Sequence, residues 1–153
     1  MALGWRDADG LADLSGAYAL LIEVSRPFAP PIRRLAKPSL PAGRYLYVGS
    51  ANGPGGIRAR VRRHLRRGKK RHWHVDHLTK AFGVSAAVTV AGGDECAILA
   101  LARRWPGVGV PVLGFGSSDC RRCPAHLVSL PDALEIAPAL ASLGPGAGGV
   151  ILA

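Results

Sequence analysis

The chain has 153 residues, of which 48% are hydrophobic and 20% charged, enough apolar material for one folded domain and against wholesale disorder. Lysine and arginine number 20 against 10 acidic residues, and this net charge of +10 favours a polyanionic partner. No apolar run reaches the roughly 18 residues of a membrane span, and the N-terminus lacks a secretory pattern. We therefore expect a cytoplasmic protein that does not enter membranes.

The first half of the chain contains two strands, an arm and a helix. Residues 16–24 are apolar and compatible with a strand, and residues 44–48 predict a second strand. Residues 25–43 between them contain five prolines, which favours a loop or an irregular arm. A helix is predicted over 57–67, with Gly68 as its C-terminal cap.

The second half continues with alternating helices and strands. It predicts a helix over 73–82, a strand over 84–91, a helix over 94–105, a short strand over 126–130, a helix over 132–143, and an end that is frayed or forms an edge strand through 150–152. We expect an α+β domain with a small mixed or antiparallel three-stranded sheet, flanked by helices, whose first two strands form a hairpin. The whole chain is predicted to be one domain.

The positive charge is concentrated in one segment. Residues 24–75 contain no acidic residue and hold 14 of the 20 basic residues. A merely solvated helix usually mixes glutamate with arginine, so the pattern favours a phosphate-binding surface over a passive one. The predicted nucleic-acid-binding residues are Arg58, Arg62, Arg63, Arg66, Arg67, Lys69, Lys70 and Arg71.

The helix predicted over 57–67 brings an arginine and a histidine together. Ile57, Val61 and Leu65 form its apolar stripe, and Arg60 and His64 lie four residues apart beside that stripe. A guanidinium and an imidazole that face one cleft suit phosphate chemistry, because one binds phosphate oxygens and the other exchanges a proton.

These residues belong to a longer series of motifs. The series comprises Gly16-Ala17-Tyr18, Tyr47-Val48-Gly49, the helix with Arg60 and His64, and Glu95 on a later helix. In this order they resemble the GIY-YIG nuclease superfamily over residues 16–105, which leaves 106–153 as a C-terminal extension packed on that core. Residues 114–127 further resemble a prokaryotic branch of that family, some members of which are fused to endonuclease III.

The resemblance implies a divalent-metal-dependent nuclease that hydrolyses phosphodiester bonds, with DNA as the expected substrate. It implies that Tyr18, Tyr47 and His64 position or activate water, that Arg60 stabilises the scissile phosphate, and that Glu95 holds Mg²⁺ or Mn²⁺. We expect Arg60 and the cation either to favour tyrosinate formation or to let the tyrosine act through a hydrogen bond. Each residue also has a structural reading, since a strand tyrosine often serves packing and Glu95 can stabilise a helix N-terminus. Asp94 is a rival for the metal role.

The chain departs from the pattern of the superfamily in several places. The arm lengthens the connection between the two tyrosines, Ser50 stands where many members carry a lysine, and the late asparagine of the family has no counterpart. The missing lysine and asparagine favour an alternative, a non-catalytic module that binds nucleic acid or is associated with repair, with a repair glycosylase as a candidate partner.

The three cysteines are few and odd in number, which argues against a disulfide scaffold and for a reducing cytosol. Cys120, Cys123 and His126 have the spacing of three zinc ligands, but a lone pair of cysteines is a weak signal. We favour a structural turn or redox-labile thiols over zinc there, and we expect Cys96 to be a small core residue. Metal binding by His74 and His77 is an alternative to packing or contact with DNA.

Overall fold

The structure is a computed structural model, and it describes residues 3–33, 35, 39–116, 122–143 and 150–152. Its elements, in chain order, are a 3₁₀ helix (Trp5–Ala8), β1 (Gly16–Val24), β2 (Gly43–Ala51), α1 (Gly56–Leu65), α2 (Asp76–Phe82), β3 (Ala86–Ala91), α3 (Glu95–Arg103), β4 (Leu127–Leu130), α4 (Ile136–Ser142) and β5 (Val150–Leu152). The α+β class is confirmed, and no helix of the described part is long and apolar enough to cross a membrane.

The sheet has five strands in the order β4-β2-β1-β3-β5, and every neighbouring pair is antiparallel. The predicted hairpin of β1 and β2 is confirmed, with Leu20 opposite Tyr47. The expectation of three strands is wrong because β4 and β5 add to the two outer strands of that core. Short strands such as these carry too little periodicity to reveal their partners.

Helices cover both faces of the sheet. Side chains alternate along β1, so Leu20 and Ile22 face α1 and α2, whereas Ala19 and Leu21 face α3 and α4. The predicted apolar stripe of α1 is buried against the first of these faces. The sheet therefore has a core on each side, and the two motif tyrosines belong to the α1 side.

The proline-rich connection between β1 and β2 forms an arm, as predicted. In its described part, Phe28 and Leu40 pair through both backbone hydrogen bonds. Leu40 is fully buried, and the Phe28 ring meets Phe82 of α2 edge-on, with 5.2 Å between the centroids. The base of the arm is thereby joined to the α2 side of the core.

Several helix boundaries differ from their predictions, since α3 spans Glu95–Arg103 rather than 94–105 and α4 spans Ile136–Ser142 rather than 132–143. At α1 and α2 the differences have local reasons. Helix α1 ends at Leu65 because Arg66 has an extended backbone, and the Lys69 ammonium caps the carbonyls of His64 and Arg66 at 2.6 and 2.9 Å. Helix α2 begins at Asp76, three residues later than predicted, because residues 72–75 form a turn that the Asp76 side chain holds.

Candidate functional site

The two motif tyrosines lie on the same face of the sheet. Tyr18 of β1 stands opposite Gly49 of β2, and Tyr47 stands opposite Leu20, so the rings are close diagonal neighbours with centroids 6.4 Å apart. Gly49 leaves room for this arrangement, since a Cβ there would lie 2.5 Å from the Tyr18 hydroxyl oxygen. Glycine in the second motif is therefore a packing requirement of the first tyrosine.

His64 is fully buried behind Tyr18. Its Nε2 shares a hydrogen bond of 2.6 Å with the Tyr18 hydroxyl, across 46 residues of sequence. Burial lowers the pKa of His64 to about 3, assisted by the nearby positive charge of Lys69. The imidazole is therefore neutral at physiological pH, and its Nδ1 has no hydrogen-bond partner among the described residues.

Asp76 lies beyond His64, with one carboxylate oxygen 4.0 Å from His64 Nδ1. This fully buried carboxylate accepts two hydrogen bonds from Arg63, at 2.9 and 3.0 Å, and one each from the backbone N–H groups of His72 and Trp73. Burial opposes its ionisation, but the hydrogen bonds prevail and hold the pKa of Asp76 at about 2. No sequence pattern assigns a role to Asp76, because a buried acid at the first position of a helix carries no distinctive sequence signal.

Arg60 lies at the mouth of the site. Its guanidinium donates to the Ser50 carbonyl at 3.3 Å and stands 4.5 Å from the ring centre of Trp73. The Arg63 guanidinium also lies over that ring, at 4.1 Å. Cation–π contacts with Trp73 thus hold the cationic end of Arg60 near the tyrosines.

Glu95, the first residue of α3, faces His126, with 3.6 Å between the carboxylate and His126 Nδ1. Its neighbour Asp94 has a different task, because it caps α3 and forms a short ion pair with Arg122.

A cleft of about 170 Å³ is lined by Tyr18, Tyr47, Ser50, Arg60, Trp73, Glu95, Gly116 and His126.

The cleft therefore gathers four of the five predicted catalytic residues, and the fifth, His64, reaches it through the hydroxyl of Tyr18. A larger hollow of about 540 Å³, lined by Leu3, Leu65 and Lys69 among others, contains none of the five. We place the candidate site at the smaller cleft because the polar groups converge there.

Neither tyrosine is ionised, so neither is ready to act as a base. Burial raises the pKa of Tyr18 well above its usual value, and the neighbouring Tyr47 raises it further, whereas Arg60 lowers it without offsetting the effect of burial. Burial and Glu95 likewise raise the pKa of Tyr47. In the protein alone, desolvation outweighs the attraction of the Arg60 guanidinium, so Arg60 by itself does not produce tyrosinate, and the joint effect of Arg60 and a cation stays a prediction.

Four of the predicted nucleic-acid-binding residues make structural contacts. Arg63 pairs with Asp76, and Arg58 donates to the Leu11 carbonyl at 2.5 Å. Arg67 donates to two carbonyls at the end of α2, away from the cleft, and Lys69 is the cap of α1. These four cationic groups are thus engaged in hydrogen bonds or ion pairs within the protein.

The other four are exposed or partly exposed. Arg62 is partly exposed and lies 3.6 Å from Asp9. Arg66, Lys70 and Arg71 are exposed, as is Arg67, and lie at or just after the end of α1. These five residues form the accessible part of the predicted phosphate-binding surface.

The cysteines differ from their predictions. Cys96 is bonded to Cys123 in a disulfide and is only partly buried, so its assignment as a small core residue is wrong. The pairing joins the start of α3 to the segment before β4, two parts of the chain 27 residues apart. Cys120, the first cysteine of the predicted zinc motif, lies outside the described residues, as does the segment 117–119.

The two histidines around α2 do not share a ligand site. His74 Nδ1 accepts a hydrogen bond of 2.9 Å from the Gly116 backbone, and its ring packs against Phe115. His77 is partly exposed, and among the described residues neither histidine belongs to a cluster of metal-ligating groups. The contacts of His74 agree with the packing role.

Comparison with known proteins identifies a family. No curated protein and no solved structure matches the chain. One family model, described as a domain of unknown function, matches residues 17–147, a range that includes both motif tyrosines, α1 and β4. Because this match covers more than half of the chain, the protein belongs to the family Domain of unknown function DUF123.

Proposed function

We propose that the protein is a divalent-metal-dependent nuclease of the GIY-YIG type, which hydrolyses phosphodiester bonds in nucleic acid, with DNA as the expected substrate. One observation carries the proposal: Tyr18, Tyr47, Arg60 and Glu95 line one cleft, and His64 is hydrogen-bonded to the first of them. A hydroxyl, a guanidinium and a carboxylate on one small cleft suit the attack of water on a phosphate.

The residues of the cleft fit a divalent cation. Among its described lining residues, Glu95 supplies the one carboxylate, and the side chain is 21% exposed. A single carboxylate suits Mg²⁺, which keeps most of its water ligands. A cation held there would neutralise charge that develops on the phosphate during attack.

Arg60 is suited to bind the non-bridging phosphate oxygens. Its guanidinium lines the cleft, and the Trp73 ring and the Ser50 carbonyl restrict its orientation. A positioned guanidinium donates hydrogen bonds to phosphate and carries a permanent positive charge. Its removal is expected to cost roughly 10²- to 10³-fold in rate, as for other preorganised donors.

Tyr18 and His64 are suited to orient the attacking water. With the neutral His64 accepting at Nε2, the Tyr18 hydroxyl donates inward, which leaves its oxygen able to accept a hydrogen bond from a water that enters the cleft. Because burial lowers the pKa of His64 to about 3, the imidazole fixes the tyrosine through this hydrogen bond and does not take its proton. The raised pKa of Tyr18 fits this role, because the tyrosine stays protonated and the proton of the attacking water passes to solvent.

Cleavage of DNA tests the proposal. Purified protein is incubated with supercoiled plasmid and Mg²⁺, and nicked product is followed with time. Tyr18→Phe, Arg60→Ala and Glu95→Gln should each lose at least about 10²-fold in rate. Two matched controls, Glu23→Gln and Arg103→Ala, change exposed residues that do not line the cleft and should retain activity. Cleavage that survives both Arg60→Ala and Glu95→Gln would disprove the assigned roles.

A non-catalytic module that binds nucleic acid is the second candidate. The raised pKa values of both tyrosines and the serine at position 50 favour it, since neither supplies an activated base. In this case DNA binds with a steep salt dependence and no product appears with any divalent cation. The variant Lys70→Ala/Arg71→Ala should then lower the salt slope by about 2, because each exposed cation releases about one counterion.

A further inference from the structure

A cluster of three metal-ligating side chains lies beside the cleft. Cys96 lies in the first turn of α3, Cys123 precedes β4, and His126 adjoins the first residue of β4. Their ligand atoms, the two sulfurs and one imidazole nitrogen, all lie within 4.8 Å of one another. These residues come from two distant parts of the chain, so their convergence is a product of the fold.

The imidazole in this cluster is incompletely satisfied. His126 is 4% exposed, and its Nε2 has no hydrogen-bond partner among the described residues. Its other ring nitrogen, Nδ1, faces the Glu95 carboxylate at 3.6 Å. A buried nitrogen without a partner is costly unless a ligand satisfies it, and a carboxylate on the opposite nitrogen is the usual partner of a metal-binding histidine.

We propose that Cys96, Cys123 and His126 bind one Zn²⁺ when the two cysteines are reduced. Two thiolates and an imidazole are soft and borderline donors that prefer zinc to magnesium or calcium. In a tetrahedral site the two sulfurs would stand about 3.8 Å apart, so the disulfide must be broken before both can bind the metal. The three residues leave a fourth position for water.

The zinc form and the disulfide form exclude each other. A thiol reductant breaks the Cys96–Cys123 bond with two electrons and two protons, and the reductant becomes a disulfide. Binding of Zn²⁺ then releases the two thiol protons. The reducing cytosol expected from the sequence favours the zinc form. A disulfide oxidant reverses the change: it takes two electrons from the two thiolates and two protons from solvent, becomes two thiols, re-forms the Cys96–Cys123 bond and releases Zn²⁺. This inference does not depend on nuclease activity, although His126 lines the cleft as well.

Metal binding by the full-length protein tests the proposal. The chain is treated with dithiothreitol, freed of metal with a chelator and transferred to anaerobic buffer without either reagent. Zn²⁺ or Co²⁺ is then added, and bound metal is measured after gel filtration. We expect one zinc per chain, a thiolate absorption band with Co²⁺, and no binding by protein that keeps the disulfide. Thiol titration should find three thiols in the reduced chain and one in the oxidised chain.

Single variants identify the ligands. Cys96→Ser, Cys123→Ser and His126→Gln should each abolish binding at one equivalent, with circular dichroism showing that the fold persists. The matched control Cys120→Ser should keep one zinc. Absence of zinc from the reduced native chain would overturn the proposal. Loss of zinc in Cys120→Ser, with retention in Cys96→Ser, would overturn it in favour of Cys120, Cys123 and His126.

Discussion

The buried His64 should make the protein sensitive to acid in a defined pH range. Burial lowers the pKa of His64 from 6.5 to about 3. Between these two values the histidine is protonated in the unfolded chain but stays neutral in the folded chain. A folded-state pKa that is depressed contributes stability above the unfolded value and loses it as pH falls toward the folded value. The contribution of His64 to the free energy of unfolding is therefore fully present above pH 6.5 and is lost progressively as the pH falls to about 3.

The size of the loss follows from the two pKa values. Between them the free energy of unfolding falls by about 1.4 kcal/mol for each pH unit, which gives about 3 kcal/mol between pH 7.5 and pH 4.5. This is a large part of the 5–15 kcal/mol typical of a domain. Asp76 does not contribute in this window, because its pKa moves from 3.8 to about 2.

Replacement of His64 measures its contribution to the pH dependence of the free energy of unfolding. His64→Gln keeps a polar group that can hydrogen-bond to Tyr18 but does not titrate, so its unfolding free energy should depend less on pH, by about 3 kcal/mol over this range. Urea unfolding at several pH values measures the difference. His72→Gln, which removes an exposed histidine, is the matched control and should behave as the native chain. Parallel losses in the native chain and in His64→Gln would refute the reasoning.

Two substitutions test the packing around the tyrosine and the histidine. Gly49→Ala should cost about 1–3 kcal/mol of stability, because the new Cβ would lie 2.5 Å from the Tyr18 hydroxyl, whereas Gly53→Ala meets its nearest atom at 3.8 Å and should be almost neutral in urea unfolding. Equal effects of the two alanines would show that Gly49 is not a packing requirement. Asp76→Asn should cost about 3 kcal/mol, because Arg63 loses its buried ionic partner, and the exposed Asp132→Asn serves as its control. A loss below about 0.5 kcal/mol in Asp76→Asn, no more than an ordinary surface change, would contradict this view of the ion pair.

The local features of the fold were predictable from the chain. The bounds of β1 are those that its apolar run predicts, and the apolar stripe of α1 is buried as its spacing requires. Both depend on neighbouring residues, whose side-chain period is set by the geometry of a single strand or helix. Helix ends were less predictable, because Lys69 and Asp76 cap or begin helices through contacts that composition does not reveal.

The candidate site was predictable only in part. The motif pattern predicts four residues that line the cleft, namely Tyr18, Tyr47, Arg60 and Glu95. Their ionisation was not predictable, because the pKa of a tyrosine depends on burial by residues far along the chain. Several of the arginines on and around α1 also proved to hold the structure, since whether a cation meets solvent or a carbonyl depends on what the fold places beside it.

The sequence by itself determined the α+β class, the hairpin of β1 and β2, the concentration of positive charge and the residues that mark the cleft. The tertiary structure alone decided that His64 is buried against Tyr18, that Asp76 stands behind it, and that Cys96 meets Cys123 beside His126. The physical reason is distance along the chain. Periodicity and turn chemistry act within a few residues, whereas these contacts join residues that only the packing of helices on a five-stranded sheet brings together.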